Sequence, residues 1–307
     1  MAFRLKPRKS PTGKIVRIAR QQLERAVAEA GATGQAAKER IHQARTRCKK
    51  IRALLRLIRP HDEEFYQREN ARFRDTARPL SVLRDAEVML GSLDRLLQQN
   101  GMAPDRPEFG EIHRRLLAHR EKLLPSAEET ERELARFARR MRRQTRQFEK
   151  LEGVDFKAIV TGLGLTYRRS RRAMRKAGAD KTAESFHEWR KQAKYFRYQV
   201  RLLRRAWPPM MKKFEQSAET LSDLLGEEHD LGLLGRFIQG GKGEMAGPEA
   251  SPRLIELIER RRGDVRSEAL ALGERLFVAK PSVFADEIAQ WWKIARRQAR
   301  AAGTGKD

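Results

Sequence analysis

The chain of 307 residues carries 67 Lys and Arg against 41 Asp and Glu, a formal charge of +26, so its surface is built for anionic partners reached by long-range attraction. A single cysteine, Cys48, excludes an internal disulfide and any multi-cysteine metal site. No apolar run approaches the length that spans a bilayer, and the basic N-terminus lacks the apolar core of a secretory signal, so a cytoplasmic protein with no membrane span is expected.

Residues 1–12, with Pro7 and Pro11, read as a short extended arm. A first helix is expected over 13–30, with Ile15, Ile18, Leu23 and Val27 facing inward, and Gly31 and Gly34 break it. The stretch IHQARTRCKKIRALLRLIR, 41–59, follows and stops at Pro60. In it His42, Arg45, Lys49, Arg52, Arg56 and Arg59 recur every three or four residues, which places them on one helix face. That face is a cationic stripe about 25 Å long at 1.5 Å per residue. Ala44, Cys48, Ile51, Leu55 and Ile58 form the apolar face.

From His61 the pattern is helical again, with Phe65, Tyr66 and Phe73 as candidate core, and Pro79 kinks or restarts it. A strongly helical run, LSVLRDAEVMLGSLDRLLQQ, ends at Asn100-Gly101. A loop over 105–107 and helices over 109–124 and 125–151 complete the first half, which Gly153 closes. A helix over 156–176 carries Tyr167, Arg168, Arg169, Arg171, Arg172 and Arg175, and Gly178 and Asp180 are expected to break it. A second stripe, FHEWRKQAKYFRYQVRLLR, occupies 186–204 and stops before Trp207-Pro208-Pro209. Helices are expected over 210–239, 253–277 and 282–302, with a flexible loop over 240–252. No sustained two-residue alternation suggests a strand. The reading is an all-α protein of two helical bundles, 1–152 and 153–307, related by an internal repeat.

The repeat has a constant offset. His42, Arg45, Lys49, Arg52, Arg56 and Arg59 match His187, Arg190, Lys194, Arg197, Arg201 and Arg204, each 145 positions on. In the second copy Trp189, Ala193, Phe196, Val200 and Leu203 make the apolar face. Neither row of matched cations includes an acid, and like charges one turn apart repel by about 0.2–0.5 kcal/mol per pair. Repeating that cost in two helices suggests a polyanion that relieves it. At the same offset Asp85 matches Asp230, each in a later helix, where an acid can pair with stripe cations and hold their rotamers. Thr46 stands opposite Lys191 and Lys50 opposite Tyr195, so the two halves need not contribute equally.

These residues resemble the CHAD family, the conserved histidine α-helical domain. The resemblance rests on the paired HxxRxxxKxxRxxxR helices, on the Asp-bearing runs RDAEVML and LLGEEHDLGLL, and on MAFRLKPRKS and YRRSRRAMRKA. It implies two antiparallel four-helix bundles related by a pseudo-two-fold axis, with a basic cleft or pore between them. It implies inorganic polyphosphate as ligand, and association with polyphosphate granules for some members. Carried over by motif, the polyphosphate-facing residues are His42, Arg45, Lys49, Arg52 and Arg56 in one half and His187, Arg190, Lys194, Arg197 and Arg201 in the other. Arg168, Arg171, Arg172 and Arg175 extend the set. Some members also carry an N-terminal triphosphate-tunnel domain; its ExExK signature is absent from this sequence.

The chemistry suits that ligand. Arg offers planar, bidentate donors to phosphate oxygens and Lys a compact point charge. Protonated His42 and His187 would add donors, since a nearby polyanion favours the imidazolium. A nucleic-acid binder using the same basic helices is the competing reading. Single-strand binders interleave cations with exposed aromatics, and only Tyr195 and Tyr198 offer that here. His229-Asp230 invites a metal phosphohydrolase reading, but His61, His113 and His119 show no supporting spacing. The expectation is a binding protein, not an enzyme, with no metal and no cofactor.

Overall fold

The computed structural model describes residues 3–7, 10–103, 107–123, 125–240 and 252–304. The all-α class read from the sequence holds: among the described residues there are eleven α-helices, one 3-10 turn over 79–81, and no strand. In chain order the helices are α1 (Pro11–Ala30), α2 (Ala37–Ile58), α3 (Glu63–Ala77) and α4 (Val82–Gln99). Then come α5 (Pro107–Leu123), α6 (Ala127–Glu149), α7 (Phe156–Asp180) and α8 (Ala183–Leu202). The last three are α9 (Pro208–Ile238), α10 (Pro252–Leu276) and α11 (Pro281–Thr304). The expected loop over 241–251 lies outside the described residues.

Helix starts are set by side chains that satisfy the first backbone N–H groups. Asp62, Asp155 and Thr182 cap α3, α7 and α8 by accepting from Phe65, Ala158 and Ser185. Ser126 and Glu129 form a reciprocal capping box on α6. Five helices instead begin on a proline and so start one or two residues before the expected positions. A proline at the first helical position loses no hydrogen bond, and its fixed φ suits the helix. Gly178 does not break the helix, whereas Asp180 does close it. The helix runs on to Asp180 and ends at Lys181, a left-handed residue at φ 53°.

The arm is not a solvated tail: Phe3 and Leu5 are buried, and the Leu5 N–H donates to the Leu202 carbonyl at 2.8 Å. α2 is the hub. It packs on α1, α3, α7 and α8, while α1 also packs on α6. Arg40 of α2 donates to both oxygens of Glu131 on α6 and to the Ala30 carbonyl, and Arg47 grips Glu29 of α1 through two nitrogens. α7 comes so close to α2 that a Cβ on Gly162 would stand 2.0 Å from the Leu57 carbonyl oxygen.

One large core joins residues from both halves, from Ile15 and Leu54 to Phe196, Tyr167 and Phe284. Cys48 is fully buried in it, and burial pushes its thiol up to about 12. A second, smaller core joins Leu93 and Leu97 of α4 and Phe109 of α5 to Leu234 of α9 and Leu254 and Ile258 of α10. Helices from the first half thus pack on helices from the second at both cores.

Candidate anion-binding cleft

The two stripe helices, α2 and α8, pack directly on each other. The buried amide of Gln199 donates to the Ala53 carbonyl at 3.1 Å. The Arg56 guanidinium lies 4.0 Å over the Tyr195 ring and donates to the Tyr66 hydroxyl at 2.5 Å. Arg52 stands 5.9 Å from the same Tyr195 ring and donates to the Asn70 side chain at 3.0 Å. On the other side of the contact Lys50 is lowered to about 8, by burial first and then by Arg47 and Arg201.

Beside this contact opens a cleft of about 620 Å³. α2 contributes His42, Thr46 and Lys49, and α8 contributes Arg190, Lys194, Arg197 and Tyr198. α4 adds Arg95 and Gln99, and α9 adds Ser222, Asp223, Gly226, Glu227 and Asp230. Five lysine or arginine side chains therefore share the lining with three carboxylates. Such a surface supplies charge-assisted donors to an oxyanion while holding acids on one wall.

Of the ten stripe residues singled out in the sequence, His42, Lys49, Arg190, Lys194 and Arg197 line this cleft. Arg45 is half-buried on α2 outside the lining. Arg52 and Arg56 belong to the Tyr195 contact, and Arg201 is held 3.6 Å from Glu215. None of the α7 arginines lines the cleft. Arg168, Arg172 and Arg175 are exposed, and Arg171 lies near Tyr167, whose ring stacks on Phe284 of α11. It is Arg169, outside the expected set, that stands near Arg56 and Arg59; burial and then those two cations lower its guanidinium. The side chain of Asp85 lies outside the described residues.

His187 goes elsewhere than His42. Its Nδ1 is 3.2 Å from Nδ1 of His229, at a separate pocket of about 260 Å³ that also includes Glu228 and Arg236. Burial lowers both imidazoles, with Lys191 and Arg190 adding to the effect at His187; His229 falls to about 3. Both imidazoles therefore resist protonation in the free protein. No group of three or more His, Cys, Asp or Glu side chains able to hold a metal occurs among the described residues. No helix among them is long and apolar enough to cross a membrane.

Two further expectations change. Tyr195 and Tyr198 are not exposed stacking platforms: both are half-buried, Tyr195 under Arg56 and Tyr198 edge-on to Phe3. The α8 stripe is not left to repel itself either. Acids of α9 lie along it, with Arg190 4.0 Å from Asp230 and Arg197 bonded to Glu219. Asp230 beside Arg190 is the pairing expected from its place in the repeat; the other acids, at 215, 219, 223 and 227, recur every four residues, and spacing could have found them. Nothing local distinguishes Arg95 from other surface arginines.

Fold and site together define an all-α protein in which two cationic helices pack on each other and share a cleft. The CHAD domain family model matches residues 17–239, and the chain belongs to the CHAD domain family. The structure is similar to the crystal structure of the CHAD domain from the plant Ricinus communis, with a TM-score of 0.52 and 17% identity over 91% of this chain and 95% of that one. No curated protein matches the chain.

Proposed function

We propose that the cleft binds inorganic polyphosphate without cleaving it, in the cytoplasm, and that this binding can carry the protein to polyphosphate granules. The observation that supports this reading is the meeting of both stripes in one cleft, Lys49 from α2 with Arg190, Lys194 and Arg197 from α8. Polyphosphate has no bases to read, so a binder needs rows of cations at fixed spacing and little else. Two helices packed on a shared core hold such rows with little ordering left to do at binding.

The same reading takes 1–152 and 153–307 as two copies of one unit about a pseudo-two-fold axis. Its support is a matched exchange of neighbours. Arg56 sits over Tyr195, and their counterparts 145 positions away, Arg201 and Lys50, are also near each other.

Titration with long-chain polyphosphate across a salt series tests the function. Lys49 and Lys194 are counterparts in the repeat and both line the cleft. Each charge contact contributes about one unit to the slope of log affinity against log salt, so Lys49→Ala with Lys194→Ala should flatten the slope by about two. An unchanged slope at unchanged helicity would remove the cleft from the account. Nucleic acid remains the second reading, favoured by net charge alone. Single-stranded DNA displacing polyphosphate at equal charge and fixed salt would reverse the order of the two.

A further inference from the structure

The two cationic rows have different neighbours. On α8, Arg190 is 4.0 Å from Asp230, and Arg197 bonds Glu219 and lies 3.7 Å from Asp223. Further along, Arg201 and Arg204 share Glu215 at 3.6 and 3.1 Å. All four acids come from one face of α9. On α2, Arg59 bonds Glu63, whereas Arg52 donates to the Asn70 amide and Arg56 to the Tyr66 phenol, with the Tyr195 ring beneath. The sequence accounts for the difference. Counted back by 145, the places of Glu215, Glu219 and Asp223 hold Asn70, Arg74 and Arg78, while that of Asp230 again holds an acid, Asp85.

We propose that α9 is a built-in counter-anion for the α8 row, so that Glu219 and Asp223 set the affinity and chain-length threshold of the cleft. The inference rests on the polyphosphate reading. Before Arg197 can meet phosphate it must leave a carboxylate already bonded to it. A single phosphate offers little more than the carboxylate does. A chain with roughly one charge per phosphate brings neighbouring contacts at the same moment, and these offset the exchange. Glu219 and Asp223 keep 47% and 72% of their side chains exposed, so once displaced they return to water at little cost.

The prediction concerns direction as well as size. Glu219→Gln with Asp223→Asn should tighten polyphosphate binding by about two- to fivefold, the worth of an exposed ion pair, and steepen its salt dependence. The variant should also bind shorter chains. Glu24→Gln with Glu128→Gln makes the same charge change on α1 and α6 and should do neither. Helicity and melting temperature accompany each titration. If the α9 double variant fails to fold, Asp223→Asn alone decides, since that carboxylate lines the cleft beside Arg197 and is largely exposed. Tightening no greater than that of the control overturns the inference while leaving polyphosphate binding intact. Failure of the unaltered protein to bind polyphosphate overturns the function, and this inference with it.

Discussion

His229 is half-buried against His187 and faces Arg190, Lys194 and Arg236, and desolvation ahead of those charges holds its imidazole down to about 3. An unfolded histidine titrates near 6.5. Between those values the unfolded chain takes up a proton that the folded one refuses. The stability this group contributes is therefore present above about 6.5 and is lost as pH falls toward 3. His187, lowered in the same direction, adds to the slope. The urea midpoint of the protein should drop on going from pH 7.5 to pH 5, and His229→Gln should shrink that drop. An equal drop in the variant would show that the acid sensitivity lies elsewhere. The pairing itself was not legible in the sequence, because His187 and His229 stand 42 residues apart with no shared motif. Lys49 and Lys194 were legible because a repeat marks both at one offset.

At the scale of the element, the helices were read well where their interiors carry a three-to-four-residue apolar rhythm, and poorly at their starts. Pro11, Pro107, Pro208, Pro252 and Pro281 each open a helix where a proline had been taken as loop. Gly178 shows the opposite error, since a glycine read as a breaker sits inside α7 facing Leu270 of α10. Tertiary packing decides such positions, and a single sequence does not display it. Gly162 is the clearest case. It lies within α7, where alanine would suit the isolated helix better by about 1 kcal/mol. Against α2 its Cβ would strike the Leu57 carbonyl, and backbone cannot swing aside. Gly162→Ala should cost about 3 kcal/mol of unfolding free energy through overpacking. Gly263→Ala in α10, where a Cβ meets nothing within 4 Å, should instead gain about 0.5–1 kcal/mol. Chemical denaturation of the two variants side by side checks both signs, and a stable Gly162→Ala would show that α7 can lift from α2 at no cost.

The whole molecule turns on how its two halves share their interiors. α2 and α8 carry their apolar faces into one core together, and α4 and α5 of the first half close the second core against α9 and α10 of the other. The main core also reaches across the 152/153 boundary, taking in Phe148 and Leu151 on one side and Val154 and Ile159 on the other. Removing either half would strip apolar surface from the other at two places, and a half left with such exposed patches is poorly stable alone. The cleft depends on the same union, since its walls come from α2 and α4 on one side and α8 and α9 on the other. A protein built this way should unfold in a single transition. The tryptophans make the test direct: Trp189, Trp207, Trp291 and Trp292 all lie in the second half. Their fluorescence reports that half, while far-ultraviolet circular dichroism reports helices in both. Under increasing denaturant the two signals should give the same midpoint and the same slope, as a two-state equilibrium requires. A circular-dichroism transition that precedes the fluorescence change would mean the first half melts alone, and that its contribution to the cleft is the weaker wall. Polyphosphate bound across both walls, as proposed, should then pull the two transitions together as its concentration rises.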